Sequence, residues 1–145
     1  MKILEQLDDN LTIKFNDSVH LNSILKVLMS HYTKLLDKDQ LVPMTLPQMN
    51  DCSVIWIEKN NNVIGGICCK KNDEHSSLNI ESIFYQNFLE FKDLYLYCHK
   101  HCEIYAKNEG YGYISISFDI DNNEYKELID NVGMTKRFYI SSRKL

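Results

Sequence analysis

The chain predicts a mixed α/β fold, of the α/β or α+β kind, with a central sheet of about six strands flanked by three to four helices. Three observations lead there. Segments with a period of two alternate along the chain with segments of helical period. The 145 residues match one domain, spanning 1–145 without a linker or internal repeat. Hydrophobic residues make up 44%, enough to fill a core and too many for a disordered chain.

Each element has a local reason. Residues 11–15 (LTIKF) alternate and read as a first strand. Asn16, Asp17 and Ser18 offer a helix cap. Residues 19–36 then carry Leu21, Ile24, Leu25, Leu28, Tyr32, Leu35 and Leu36 at helical spacing. Pro43 and Pro47 mark an irregular stretch. Residues 53–58 (SVIWIE) and 63–69 (VIGGICC) read as two strands joined by the polar turn 59–62, a hairpin. Gly65 and Gly66 inside it predict a bulge or a close backbone approach. Residues 78–85 (LNIESIFY) read as a strand, with Leu78, Ile80, Ser82 and Phe84 on one face. Residues 88–108 read as one long amphipathic helix ending near Gly110, and 113–120 as a strand. Residues 122–131 read as a helix stopped by Gly133, and 137–142 as a last strand.

Charge and composition exclude several functions. Twenty acidic and 16 basic residues leave a net charge of −4, which does not draw nucleic acid or an anionic membrane. Lys136, Arg137, Arg143 and Lys144 form one local basic stretch. The aromatics of residues 84–105 come with Glu81, Glu90 and Asp93 rather than with the basic flanks of a single-strand-binding platform. No apolar run approaches the ~18–20 residues of a membrane span, and the first ten residues do not read as a signal peptide.

The five cysteines, Cys52, Cys68, Cys69, Cys98 and Cys102, read most simply as reduced thiols of a cytoplasmic protein. Cys98-His99-Lys100-His101-Cys102 looks like a metal cluster, but its spacing is not one that zinc uses, so a core role is expected and no metal. No order of serine, histidine and acid stands out for nucleophilic catalysis.

The carboxy half carries a resemblance. Ala106-Lys107-Asn108-Glu109-Gly110 closes a helix and leads directly into a strand. Asn122, Leu128 and Gly133-Met134 follow without a gap at a characteristic spacing, and residues 80–85 look like the strand before the long helix. In this the chain resembles the GNAT superfamily, the GCN5-related N-acetyltransferases, over residues 11–142. The resemblance implies acyl transfer from acetyl-CoA to an amine. It implies that residues 80–85 are the family's fourth strand, whose backbone at Ile83, Phe84 and Tyr85 pairs with the pantetheine arm. It also places Asn122 beside that arm and Glu81 where some members hold a general base.

The family's phosphate turn, Gln/Arg-x-x-Gly-x-Gly/Ala, falls on Glu90-Phe91-Lys92-Asp93-Leu94-Tyr95. Glu90 stands at the basic or amide position, and Asp93 and Tyr95 stand at the two small positions. Side chains there are expected to block the backbone, and the carboxylates to repel pyrophosphate. Lys92, Asp93, Leu94 and Tyr95 are the residues that would meet the cofactor, with Lys92 the one cation. The family's tyrosine acid is replaced by Ile129, and Tyr125, one turn earlier, is the candidate proton donor. Ordinary roles compete: a solvated strand carboxylate for Glu81, a core aromatic for Tyr125 and a helix cap for Asn122.

Two functions follow. One is an N-acyltransferase using acetyl-CoA and a small-molecule or peptide amine, with net charge mildly favouring a cationic acceptor. The other is a GNAT-like domain that no longer transfers acyl groups and binds a protein or another ligand. Residues 137–142, at a sheet edge, would be free to pair with a second copy.

Overall fold

A computed structural model describes residues 1–40 and 51–134. The elements are β1 (Lys2–Asp8), β2 (Leu11–Asn16), α1 (Asn22–Asp37), β3 (Ser53–Lys59) and β4 (Asn62–Asn72). They continue with β5 (Ser77–Tyr85), α2 (Phe88–Phe91), α3 (Tyr95–Asn108), β6 (Tyr113–Ile116) and α4 (Asn123–Asn131). The six strands form one sheet in chain order. Neighbours are antiparallel except β5 and β6, which run parallel because α2 and α3 make the crossover between them. The predicted mixed sheet with helices is what forms. The stretch around Pro43 and Pro47, the predicted strand 137–142 and the basic residues 136–144 lie outside the described residues. Among the described residues no helix is long and apolar enough to cross a membrane.

The sequence reading passed over β1, and its pairing explains why. Its register against β2 shifts between Ile3 and Glu5 and again between Gln6 and Asp8. The two bulges break the period of two. They bring Leu4 and Leu7, three residues apart, onto the same core.

The predicted cap of α1 is corrected. The helix begins after Leu21, which makes no side-chain cap bond. Asn16 and Ser18 instead build the turn before it: Asn16 Nδ2 donates to the Ser18 carbonyl, and Ser18 Oγ accepts from His20 N–H. The single helix predicted over 88–108 is also corrected. Asn87 caps α2 by accepting from Glu90 N–H, and Leu94 N–H turns back to the Phe91 carbonyl before α3 begins. The break lets Phe91 and Tyr95 enter one core, with ring centroids 5.8 Å apart. The strand predicted over 113–120 ends early, at Ile116.

The β3–β4 hairpin turns through Asn60 and Asn61, both at positive φ (52° and 65°), the backbone that a two-residue hairpin needs. The glycine pair behind it meets both expectations. Ile64 bulges out of the β3 register. A Cβ on Gly65 would lie 2.5 Å from the Phe84 carbonyl and 2.6 Å from the Phe91 ring. Both α3 and α4 end in left-handed glycines, Gly110 (φ 82°) and Gly133 (φ 72°), each followed by a bond back to the last turn.

Two cores cover the two faces of the sheet. One packs α3 and α4 against Ile55, Ile57, Ile67, Ile80, Ile83 and Tyr85. The other packs α1 against Val54, Trp56, Cys68 and Phe84. All five cysteines are buried, and Cys98 and Cys102 face the first core as expected. His99 and His101 turn to different partners, Glu103 and Glu5.

Gly66→Ala tests this packing. Its methyl group would press on the Ile55 carbonyl and lie 2.8 Å from Trp56 Cα, so a loss of roughly 1–3 kcal/mol in urea unfolding is expected. Gly110→Ala, with open space around it, should lose only about 1 kcal/mol, from its positive φ.

Candidate active site

The site begins where β5 stops pairing with β6. The two strands run together from Ser77↔Tyr113 to Ile80↔Ile116 and then part. At the same point Cys68 pairs with Ser82 and Cys69 with Ile80, so Glu81 is the extra residue of a bulge. The irregularity that Glu81 needed in order to face inward is therefore present. Beyond it, residues 82–85 keep β4 as a neighbour on one side. On the other side, no described strand pairs with them.

Ile83 turns its carbonyl to that open side, where the Tyr125 hydroxyl donates to it. Tyr125 belongs to the α3–α4 core, yet its hydroxyl also lies 3.0 Å from His31 Nε2 on α1, on the opposite face. It spans the two layers through the notch that β6 leaves. Tyr85, Phe118 and His31 surround its ring. Burial pushes the Tyr125 phenol far above its ordinary value, so it stays protonated. Asn122 is buried and accepts from Tyr125 N–H at 3.0 Å, fixing the first turn of α4. Tyr85 donates to Glu124 at 2.6 Å and ties β5 to the same helix.

Glu81 is half-buried, and burial raises its carboxyl above the usual range, with Lys70 opposing. Its charge acts on Tyr32, Cys52 and Cys68. Burial pushes the Cys52 thiol up to about 11, which makes it a poor nucleophile. The Ser82 hydroxyl is buried and lies against the phenols of both Tyr32 and Tyr125, where its hydrogen bonding opposes the upward push of burial.

The loop expected to face phosphate is built differently from expectation. Tyr95 does not block it: the ring is buried, with its hydroxyl 3.3 Å from His99 Nδ1. Glu90 and Asp93 stand in solvent. Lys92 Nζ lies 3.7 Å from Glu127 on α4, and Leu94, half-buried, precedes α3 with no side-chain cap.

The structure thus groups Glu81, Ile83, Phe84, Tyr85, Asn122 and Tyr125 around the notch and leaves Tyr95 in the core. Sequence reasoning missed His31, Tyr32 and Ser82. One signal was available: His31 shares the buried face of α1 with Ile24, Val27, Leu28, Tyr32 and Leu35. Two surface cavities lie elsewhere. One, of about 220 Å³, is lined by Asp9, Asn10, Thr12, Lys14 and Glu58. The other, of about 410 Å³, is lined by Asp51, Lys70, Lys71 and Tyr105. Among the described residues no three histidine, cysteine or acidic side chains are placed to hold a metal ion.

No family model and no curated protein sequence matches the chain. Solved structures match its shape. The aminoglycoside acetyltransferase meta-AAC0020, from an uncultured soil metagenomic sample and in complex with trehalose, superposes with a TM-score of 0.71 at 11% identity. That match covers 97% of this chain and 98% of the other. AAC(6')-Iy in complex with a bisubstrate analogue joining CoA and acetylneamine gives 0.67 at 12% identity, over 94% of this chain and 99% of the other. A GNAT family acetyltransferase from Streptococcus pneumoniae TIGR4 gives 0.54 at 13% identity, over 92% of this chain and 99% of the other. At such identities the likeness is one of fold. The chain has the GNAT fold, and its structural neighbours are acetyltransferases.

His31 gives the site a pH signature. Lys34 on its own helix, Lys38 just past the end of that helix, Tyr85 on β5 and Tyr125 on α4 face it. Burial, aided by the two lysines, pushes it from 6.5 down to about 4. Between those values the unfolded chain binds a proton that the folded one refuses, so stability falls as pH drops from 6.5 to 4. His31→Gln should remove about 3 kcal/mol of that pH dependence, read from urea unfolding across the window.

Proposed function

We propose that the protein transfers an acyl group from acyl-CoA to an amine. The observation that carries this reading is the coincidence of three features at one place: the Glu81 bulge, the parting of β5 from β6, and a buried tyrosine hydroxyl at the parting.

The residues present fit the acyl-pantetheine half of such a donor. No described strand covers the edge of β5 at Ile83, Phe84 and Tyr85, and an extended arm would pair there as an added strand by taking the Ile83 carbonyl from Tyr125. The hydroxyls of Ser82, Tyr32 and Tyr125 cluster beside that edge and give an otherwise apolar notch its polar groups. The nucleotide half has less. The uncapped start of α3 and Lys92 suit phosphate, while Glu90 and Asp93 oppose it.

Acyl-CoA supplies the activated thioester. Glu81, its carboxyl raised by burial, takes the proton that a protonated amine must lose before it attacks. Tyr125 holds a proton at its phenolic oxygen for the leaving sulfur. Asn122 keeps Tyr125 in place by capping its N–H. The acceptor class is a small cationic amine. This accords with the net charge of −4 and with the aminoglycoside sisomicin bound to a structural neighbour.

A second reading has its own observation. The Tyr125 hydroxyl already occupies the Ile83 carbonyl, and Glu90 and Asp93 flank the phosphate turn. A GNAT-like binding module without transfer activity would look the same.

Thermal melting separates the two. Saturating acetyl-CoA or CoA, at about 100 times its dissociation constant, should raise the midpoint by roughly 5–10 °C if the donor binds. No shift at millimolar ligand supports the binding module. Given turnover, Glu81→Gln should lower kcat by at least about tenfold with the fold intact by circular dichroism. Unchanged turnover removes Glu81 from the mechanism.

A further inference from the structure

We propose that His31 is a positioning residue for proton delivery, holding the Tyr125 oxygen through its Nε2–H so that only the phenolic hydrogen turns toward the leaving group. This rests on the acyl-transfer reading above.

The hydrogen count comes first. Tyr125 has one hydroxyl hydrogen and gives it to the Ile83 carbonyl. The 3.0 Å contact with His31 Nε2 must then be donated by the imidazole. That assigns the tautomer: Nε2 carries the hydrogen and Nδ1 is bare. Nδ1 is in fact buried with no partner, as suits a lone pair better than an N–H. Lys34 and Lys38 further disfavour a second proton on the ring.

The consequence is mechanical. The oxygen is tethered by His31, and rotation about the phenolic C–O bond moves the hydrogen alone. As the C–S bond of the thioester breaks with its electron pair on sulfur, Tyr125 gives that sulfur its proton. The His31 N–H, with the Ser82 hydroxyl beside it, meanwhile faces the phenolate left behind. Both side chains are nearly excluded from water, at 2% and 1% exposure, where a fixed donor acts most strongly on new charge. The proton shed by the acylated nitrogen restores the Tyr125 phenol, so the residue ends as it began.

A purely structural role does not need this residue. The Ile83 carbonyl already satisfies the Tyr125 hydroxyl, and a phenylalanine at position 31 would fill the apolar face of α1 without burying an unpaired nitrogen.

The test compares wild type with His31→Phe, His31→Gln and Tyr125→Phe, each loaded with free CoA. The first readout is the titration of the bound thiol, followed by thiolate absorbance in the ultraviolet. In wild type the bound thiol should titrate below free CoA. His31→Phe and Tyr125→Phe should each raise it by about one pH unit. His31→Gln, whose amide N–H reaches the place of Nε2, should restore most of the shift and stands in if the phenylalanine variant fails to fold. The second readout is turnover: His31→Phe should lower kcat about 30-fold with KM for acetyl-CoA within about twofold, and His31→Gln should recover to within about fivefold. If CoA binds and Tyr125→Phe moves the thiol but His31→Phe does not, the His31 inference fails and acyl transfer stands. If CoA does not bind wild type, acyl transfer fails and the inference goes with it.

Discussion

A buried carbonyl needs a hydrogen-bond partner, and once β6 ends at Ile116 the carbonyl of Ile83 has lost the one that a continuing strand would supply. The Tyr125 hydroxyl fills that vacancy. Much of the site follows from the substitution. Because the donor is a side chain and not a backbone N–H, it has to reach across the sheet from α4. Because it crosses the sheet, it also meets His31 on α1. The notch thus joins two cores that the sheet otherwise separates, and Asn122, Glu124 and Tyr85 hold α4 at the height the reach requires.

The bulge at Glu81 is the companion constraint. In a regular strand Glu81 would share a face with Ile83 and Tyr85, which are buried in the α3 core. The extra residue shifts it, and its charge is felt instead by Tyr32, Cys52 and Cys68 on the α1 side. A carboxylate there is half out of water, so its acid form is favoured. The thiols around it are pushed the same way, which leaves them as packing rather than chemistry. One irregularity therefore does two things: it moves a titratable group to the other face, and it coincides with the end of pairing with β6.

The loop after β5 shows how packing displaced an expected arrangement. Gly65 has no side chain, and Phe91 lies against it. Phe91 brings Tyr95 inward, and the chain breaks its helix between them to do so. The aromatic pair strengthens the core beneath the loop. It also removes Tyr95 from the surface that a phosphate would meet, leaving Asp93 in water and Lys92 close to Glu127.

Periodicity in the sequence determined the mixed sheet, the hairpin through Asn60 and Asn61, and the helices ended by Gly110 and Gly133. These depend on neighbours close along the chain, so local spacing carries them. The Gly65-Gly66 pair announced a close approach, though not that Phe91 makes it. Glu81 and Tyr125 were legible as candidates only through the resemblance to the GNAT family. Strand β1 was not, because two bulges erased its alternation. His31, Tyr32 and Ser82 were not either, since each looks like an ordinary member of a buried face. Only the tertiary structure decided that His31 meets a tyrosine 94 residues away, because that contact depends on where one strand stops and which carbonyl is left open.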